Sequence, residues 1–133
     1  MKTDLLLIPM SARWADVRAA ALAAEAAGFD GVWTWDHLRD PDGDDGGPGV
    51  PEAWTVLTAL AEVTKRVMLG PLVLNVANRA PGVLANMAAT LQGISGGRLL
   101  LGSAPAAVAA RRTRRSRRRL ASPSTPTPCA RNA

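Results

Sequence analysis

Four short apolar runs, separated by helix-like stretches, constrain what this chain can fold into more than any other feature of it. The runs are DLLLIP (4–9), FDGVWTW (29–35), VMLGPLVLNV (67–76) and LLL (99–101). Runs this short, with little polar alternation, read as strands covered on both faces, the environment of a parallel sheet. Between them the chain changes period. Residues 12–27 are rich in alanine, with Ser11 as the expected cap and Gly28 standing where a helix end wants positive φ. Pro51 and Glu52 suit the first turn of a second helix reaching Val63, with Lys65 and Arg66 beside its negative end. Pro81 opens a third helix to Ile94, and Ser95 to Arg98 turn the chain into the last run.

The resulting βαβαβαβ order, with parallel strands and right-handed crossovers, fits a doubly wound sheet or part of a (β/α)8 barrel. Gly70 and Pro71 interrupt the third run, so a bulge or kink is expected there. A content of 47% hydrophobic residues in 133 is enough to pack one domain. No apolar run approaches the roughly 18 residues of a membrane helix. The N-terminal run is too short for a secretory signal and contains Asp4, and the single Cys129 has no partner for an internal disulfide. A cytoplasmic protein is the expectation.

Charge is unevenly distributed. Residues 1–102 carry 8 Lys and Arg against 11 Asp and Glu, a net of −3, whereas residues 103–133 carry 8 Arg and no acid. Seven of those arginines fall in RRTRRSRRR at 111–119. With no aromatic residue and mostly Ala, Pro, Ser and Thr besides, residues 103–133 cannot bury enough surface to offset their ordering entropy. A domain over 1–102 and a disordered basic tail over 103–133 are therefore expected. As a native arm, the tail would neutralise phosphates, and roughly six or more such contacts would make nucleic-acid binding strongly salt-dependent.

The candidate site lies where the second strand ends. His37, the only histidine, follows Asp36 there, at the strand edge on which α/β proteins build their sites. An imidazole at that place can hydrogen-bond a cofactor or exchange a proton near neutral pH, with Asp36 orienting it, or can make a structural loop contact. Trp35 is the tryptophan best placed to face a planar ligand, whereas Trp14, Trp33 and Trp54 read as packing. Asn75 and Asn78, where the third strand ends, suit ligand binding and helix capping equally. The loop from Asp36 to Val50 is longer than a connection requires. Its Asp40, Asp42, Asp44 and Asp45 imitate the start of a calcium loop, but the sixth position is Asp45 instead of Gly and the twelfth is Pro51 instead of Glu, so no metal site is assigned.

GFDGVWTWDHL (28–38) and LGPLVLNVANRAPGVLANMAATLQGISGGRLLLG (69–102) resemble the N-terminal half of the bacterial luciferase-like flavin-dependent oxidoreductases, in particular the branch that uses the deazaflavin coenzyme F-420. The most specific part is ATLQGISGGRLLLG, although that family's helix usually carries Asp where Gln92 stands. The resemblance implies a (β/α)8 barrel with the cofactor ring at the carboxyl ends of the strands. It maps His37 to the histidine near the ring, and Leu74, Asn75 and Val76 to a third-strand bulge on which the ring rests. The expected catalytic residue is thus His37, with Trp35, Asp36, Leu74, Asn75 and Val76 as cofactor-binding residues. The implied chemistry is hydride transfer between F-420 and a small organic substrate, or oxygen insertion if the cofactor is FMN.

A whole barrel takes roughly 250 residues, and the family's glycine-rich LGAG segment is absent after the fourth strand. Residues 1–102 use Ala, Gly, Val and Arg heavily and Lys rarely, as a GC-rich gene does. Moving each codon boundary one base upstream after Gly102 permits the tail to be rewritten without a stop, beginning LGAG and regaining an acid-bearing helix. The tail is therefore read as out of frame, with no nucleic-acid partner. Four strands alone would leave open edges, so dimerisation and a loss of catalytic competence are expected of the chain as it stands. A basic nucleic-acid-binding protein and a non-catalytic half-barrel are the alternatives.

Overall fold

Three of the four apolar runs come together first, as one parallel sheet. The computed structural model describes residues 1–38 and 49–105. In it β1 (Asp4–Leu7), β2 (Gly31–Thr34) and β3 (Met68–Pro71) lie side by side in that order. Asp4 pairs with Gly31 and Leu7 with Thr34, while Gly31 pairs with Met68 and Thr34 with Pro71. Helix α1 (Trp14–Ala26) joins β1 to β2, and α2 (Ala53–Val63) precedes β3. The chain then forms β4 (Leu74–Asn75), a 3-10 turn (Val76–Asn78), α3 (Pro81–Ile94) and β5 (Ser103–Ala104). β5 pairs in parallel with β4, and a bridge between Leu69 and Leu99 ties the same final segment to β3.

Each strand is added on the far side of the one before it, and all three helices share a single core. Val17, Ala21 and Ala24 of α1, Leu57 and Leu60 of α2, and Leu91 of α3 pack with Val32 and Leu69 of the sheet. A doubly wound sheet would divide its helices between two faces; strands added in sequence with the helices on one face make an arc of a (β/α)8 barrel. On the opposite face Trp33 crosses Gly70. A Cβ at Gly70 would lie 2.6 Å from Trp33 Cζ3 and would collide with the Leu100 carbonyl oxygen, so the close approach of β3 to the final segment requires glycine there.

Several boundaries differ from the sequence expectation, for local reasons. Ser11 does not cap α1. A turn in which the Ala12 amide donates to Pro9 O delays the helix, Arg13 becomes the capping residue without a side-chain cap bond, and Arg13 pairs instead with Asp16. The second helix starts after Glu52, which stands outside it as its cap. The third strand is not one run: it breaks after Pro71 at Leu72 and Val73, whose peptide bond is cis, and Val76 belongs to the 3-10 turn. The fourth strand is only a bridge at Leu99, and its ladder is made by Ser103 and Ala104, two residues that composition had placed in the tail. Gly28 does end α1 as expected, with φ +90° and the Phe29 amide donating back to Ala24 O. Asp40, Asp42, Asp44, Asp45 and the arginine run at 111–119 lie outside the described residues.

At the amino end of the strands, two side chains tie the helices to the sheet. The Glu25 carboxylate accepts from the amides of Lys65, Arg66 and Val67 at 2.7–3.1 Å, which fixes the α2–β3 turn against the end of α1. Burial works to raise the Glu25 pKa, but those three amides, with the nearby Arg98 charge, outweigh it and hold the carboxyl below its ordinary value. Arg98, from the SGGR turn, donates to the carbonyls of Ala61, Thr64 and Val67 and to Thr64 Oγ1, so its guanidinium satisfies the carboxyl end of α2.

The substitution Gly70→Ala is expected to lower unfolding free energy by about 1–3 kcal/mol or more, read from urea denaturation. A carboxyl whose folded pKa lies below its unfolded value adds stability above the unfolded value, and that stability is lost as the pH falls through the folded one. The melting temperature should therefore drop on acidification below the usual glutamate range. Glu25→Gln should have a lower melting temperature at neutral pH and a flatter acid limb, measured by circular dichroism.

Candidate functional site

Asp36 follows β2 at the carboxyl rim of the arc, and its side chain is entirely removed from solvent. Both oxygens are occupied. Oδ2 accepts from Arg79 Nη1 at 2.6 Å and from the Asn75 amide at 2.9 Å, and Oδ1 accepts from Arg79 Nη2 at 2.9 Å. The Asp36 carbonyl accepts from Asn78 Nδ2 at 3.5 Å. The fork of one guanidinium onto one carboxylate is the strong, directional form of an ion pair. It binds the end of β2 to the segment after β3.

Arg79 Nη2 also donates to Glu52 Oε1. Glu52 caps α2 by accepting from the Trp54 amide at 3.1 Å, the Thr55 amide at 2.7 Å and the Thr55 hydroxyl at 2.8 Å. Burial favours the protonated form of Glu52, yet these donors and Arg79 hold its pKa below the ordinary range. The guanidinium of Arg79 is correspondingly stabilised as a cation, mainly by the Asp36 hydrogen bonds and against its own burial. It lies 6.0 Å from the ring centre of Trp54, the outer limit of a cation–π contact.

The residues expected at the site fall into two groups around this pair. Trp35 and His37 remain together toward solvent, their ring centres 5.0 Å apart and the planes inclined by 34°, with the imidazole exposed. Asp36, lying between them in sequence, turns the other way: its carboxylate serves Arg79 and Asn75, so it does not orient the imidazole as the sequence suggested. The Asn75 side chain caps the 3-10 turn by accepting from the Ala77 amide at 3.0 Å and donates to Asn78 Oδ1 at 3.0 Å. Leu74 is fully buried in the core. Val76 is 41% exposed, and with Leu72 at 48% and Val73 at 43% it makes an apolar surface on the segment that the Leu72 amide ties to Thr34 O at 2.8 Å.

Sequence reading missed Arg79, Glu52 and the part Trp54 plays beside them. A signal was present for Arg79. It stands two positions ahead of Pro81, the first residue of α3, where the helix dipole disfavours a cation unless an anion holds it. Which anion, and that Glu52 would share it, depends on a contact across 43 and 27 residues.

The sequence profile of the luciferase-like monooxygenases matches residues 3–122. The chain belongs to that family. The F420-dependent glucose-6-phosphate dehydrogenase of Nakamurella multipartita is 45% identical over 83 residues, which is 62% of this chain and 24% of that protein. The solved coenzyme F420-dependent tetrahydromethanopterin reductase of Methanopyrus kandleri superposes with a TM-score of 0.67 at 30% identity, over 79% of this chain and 27% of that one. An FMN complex of the oxygenating constituent of 3,6-diketocamphane monooxygenase from Pseudomonas putida superposes with a TM-score of 0.66 at 24% identity, over 80% of this chain and 30% of that one, and shows the shared fold. This luciferase-like chain spans about a quarter of the length of the curated relatives it matches. Among its described residues no helix is long and apolar enough to cross a membrane.

Removing the carboxylate in Asp36→Ala strands a nearly buried guanidinium and the Asn75 amide. The loss of one partner of a buried pair costs about 3–5 kcal/mol, and that loss should appear in the urea midpoint of the variant.

Proposed function

We propose that the described residues form the ring-binding end of a deazaflavin-dependent oxidoreductase that moves a hydride between coenzyme F-420 and a small organic substrate. The observation that carries this reading is the exposed apolar surface of Leu72, Val73 and Val76, held at the rim by the same contacts that fix Asp36 beside His37. A flat, half-apolar tricycle with polar edges needs an apolar support and a hydrogen-bonding group at its margin, and the rim offers both. The family and its F-420-dependent members support the choice of cofactor.

When bound, the deazaflavin would supply the two-electron hydride chemistry. The chain's own contributions are narrower. Leu72, Val73 and Val76 keep water from one side of the ring site, Trp35 packs against the imidazole, and His37 holds or exchanges a proton at a ring nitrogen. The main chain of Leu74 and Asn75, with Asp36 beneath it, supports the apolar segment without the Asp36 carboxylate touching the ring.

The five short strand segments cover one sector of a barrel, so binding by the 133-residue chain should be weak and catalysis absent. The out-of-frame origin of residues 103–133 belongs to the same proposal. The pairing of Ser103 and Ala104 is made by backbone groups and is compatible with either reading frame. The gene's DNA across the Gly102 codon tests it, and tail codons incompatible with an LGAG-type continuation would reject it.

Fluorescence titration of F-420 and of FMN into the chain and into His37→Ala tests the cofactor. F-420 should bind more tightly than FMN, and the variant should lose roughly two- to tenfold in affinity, the worth of one hydrogen bond, with its melting temperature unchanged because the imidazole is exposed. Tighter binding of FMN would transfer the reading to a flavin monooxygenase. Binding of neither, in a folded chain, would leave a non-catalytic half-barrel. Salt-sensitive DNA binding that vanished on deletion of residues 103–133 would support the nucleic-acid reading instead.

A further inference from the structure

We propose that Arg79 is a positioning residue: by gripping Asp36 and Glu52 together it pins both ends of the 37–51 segment and thereby sets the place of His37 on the rim. The three partners come from three separate stretches of chain, after β2, before α2 and before α3. Asp36 immediately precedes His37, and Glu52 immediately precedes α2. One guanidinium therefore holds the point where the long segment leaves the sheet and the point where it re-enters a helix. The side chain is 9% exposed, and Trp54 lies beside it.

A buried ion pair is a poor device for stability alone, since apolar residues of similar volume are often as stable or more so. What the fork adds is direction. Two parallel N–H···O bonds fix the rotation of the Asp36 carboxylate, while the Asn75 amide fixes the same carboxylate against the apolar segment. The backbone at Asp36 has little freedom left, and its neighbours Trp35 and His37 project together from the face opposite the carboxylate. Lysine offers a point charge without the fork and cannot hold Asp36 bidentately while reaching Glu52. The functional meaning of this placement rests on the cofactor reading of His37; the placement itself does not.

His37 is the only histidine in the chain, so its ring protons are identified without ambiguity in a proton NMR spectrum. The Trp35 ring, 5.0 Å away, displaces those signals by its ring current. In the full chain, R79M should move the His37 signals toward their positions in an unstructured peptide, and R79K should move them part of the way. E25Q, which loosens the opposite end of the arc, should lower the melting temperature and leave the signals in place. A folded R79M or R79K with wild-type His37 signals would overturn the proposal, as would E25Q moving them equally. If both Arg79 variants fail to fold, E52Q decides, because Glu52 is 42% exposed and its amide analogue still caps α2. Displaced His37 signals in that variant support the two-ended grip, and unchanged signals reject it. Titration of F-420 into the same proteins separates the two readings. Moved signals together with wild-type cofactor binding that is indifferent to His37→Ala would leave Arg79 as the positioning residue and remove His37 from the cofactor site.

Discussion

A carboxylate taken wholly out of water must find partners for both of its oxygens, and at the carboxyl rim of this arc Asp36 finds them in Arg79 and the Asn75 amide. The rest of the rim depends on that solution. Without it, the hydrogen bonds among the described residues that join the end of β2 to the broken segment after β3 would be those of the Leu72 amide to Thr34 O and the long contact of Asn78 to Asp36 O. With it, the exposed imidazole, the half-buried Trp35 ring beside it and an exposed apolar segment are carried on backbone that cannot turn away. Exposed apolar side chains occur elsewhere too, at Ile8, Trp14, Val83 and Ile94, but those of Leu72, Val73 and Val76 sit on a segment tied to β2 by hydrogen bonds.

The two ends of the strands divide the work differently. At the amino end, Glu25 and Arg98 spend their hydrogen-bonding capacity on main-chain groups left open by helix and turn, namely the amides of Lys65 to Val67 and the last carbonyls of α2. At the carboxyl end, Asp36, Glu52 and Arg79 satisfy one another, and His37, Leu72, Val73 and Val76 are exposed. That division is the one expected of a barrel built to hold its site on one rim and its stability on the other.

Much of this was legible in one dimension. The alternation of runs placed three helices and a parallel sheet, Pro81 and Gly28 marked a helix start and a helix end, and WDH at 35–37 marked the rim. Misreadings occurred where a short-range signal met a competing contact. Ser11 looks like a cap, but the turn from Pro9 to Ala12 displaces the helix start. Gly70 and Pro71 look like the break in the third strand, yet both still pair with β2 through Trp33 and Thr34, and the chain departs one residue later. Ser103 and Ala104 look like tail by composition, and pair because β4 presents them with an open parallel edge. Asp36 looks like a partner for its neighbour His37, but consecutive side chains leaving a strand point to opposite sides.

The sequence by itself determined the class of fold and the rim on which a site can be built, because these follow from hydrophobic period, turn chemistry and chain order, but it did not separate the buried Leu74 and Asp36 from the exposed Leu72, Val73 and Val76. Hydrophobic period alone left a doubly wound sheet and an arc of a barrel both open; the family resemblance pointed to the barrel, and the tertiary structure bears that out in the one core that all three helices share. Only the tertiary structure brought Arg79 to Asp36 and Glu52, from 43 and 27 residues away, and so separated the residue that supports the site from the residues that face it. The physical reason is the same in both cases. Local preferences act over a few residues, whereas the pairing of buried charges and the sharing of a core depend on which distant segments the folded arc brings within a few ångströms.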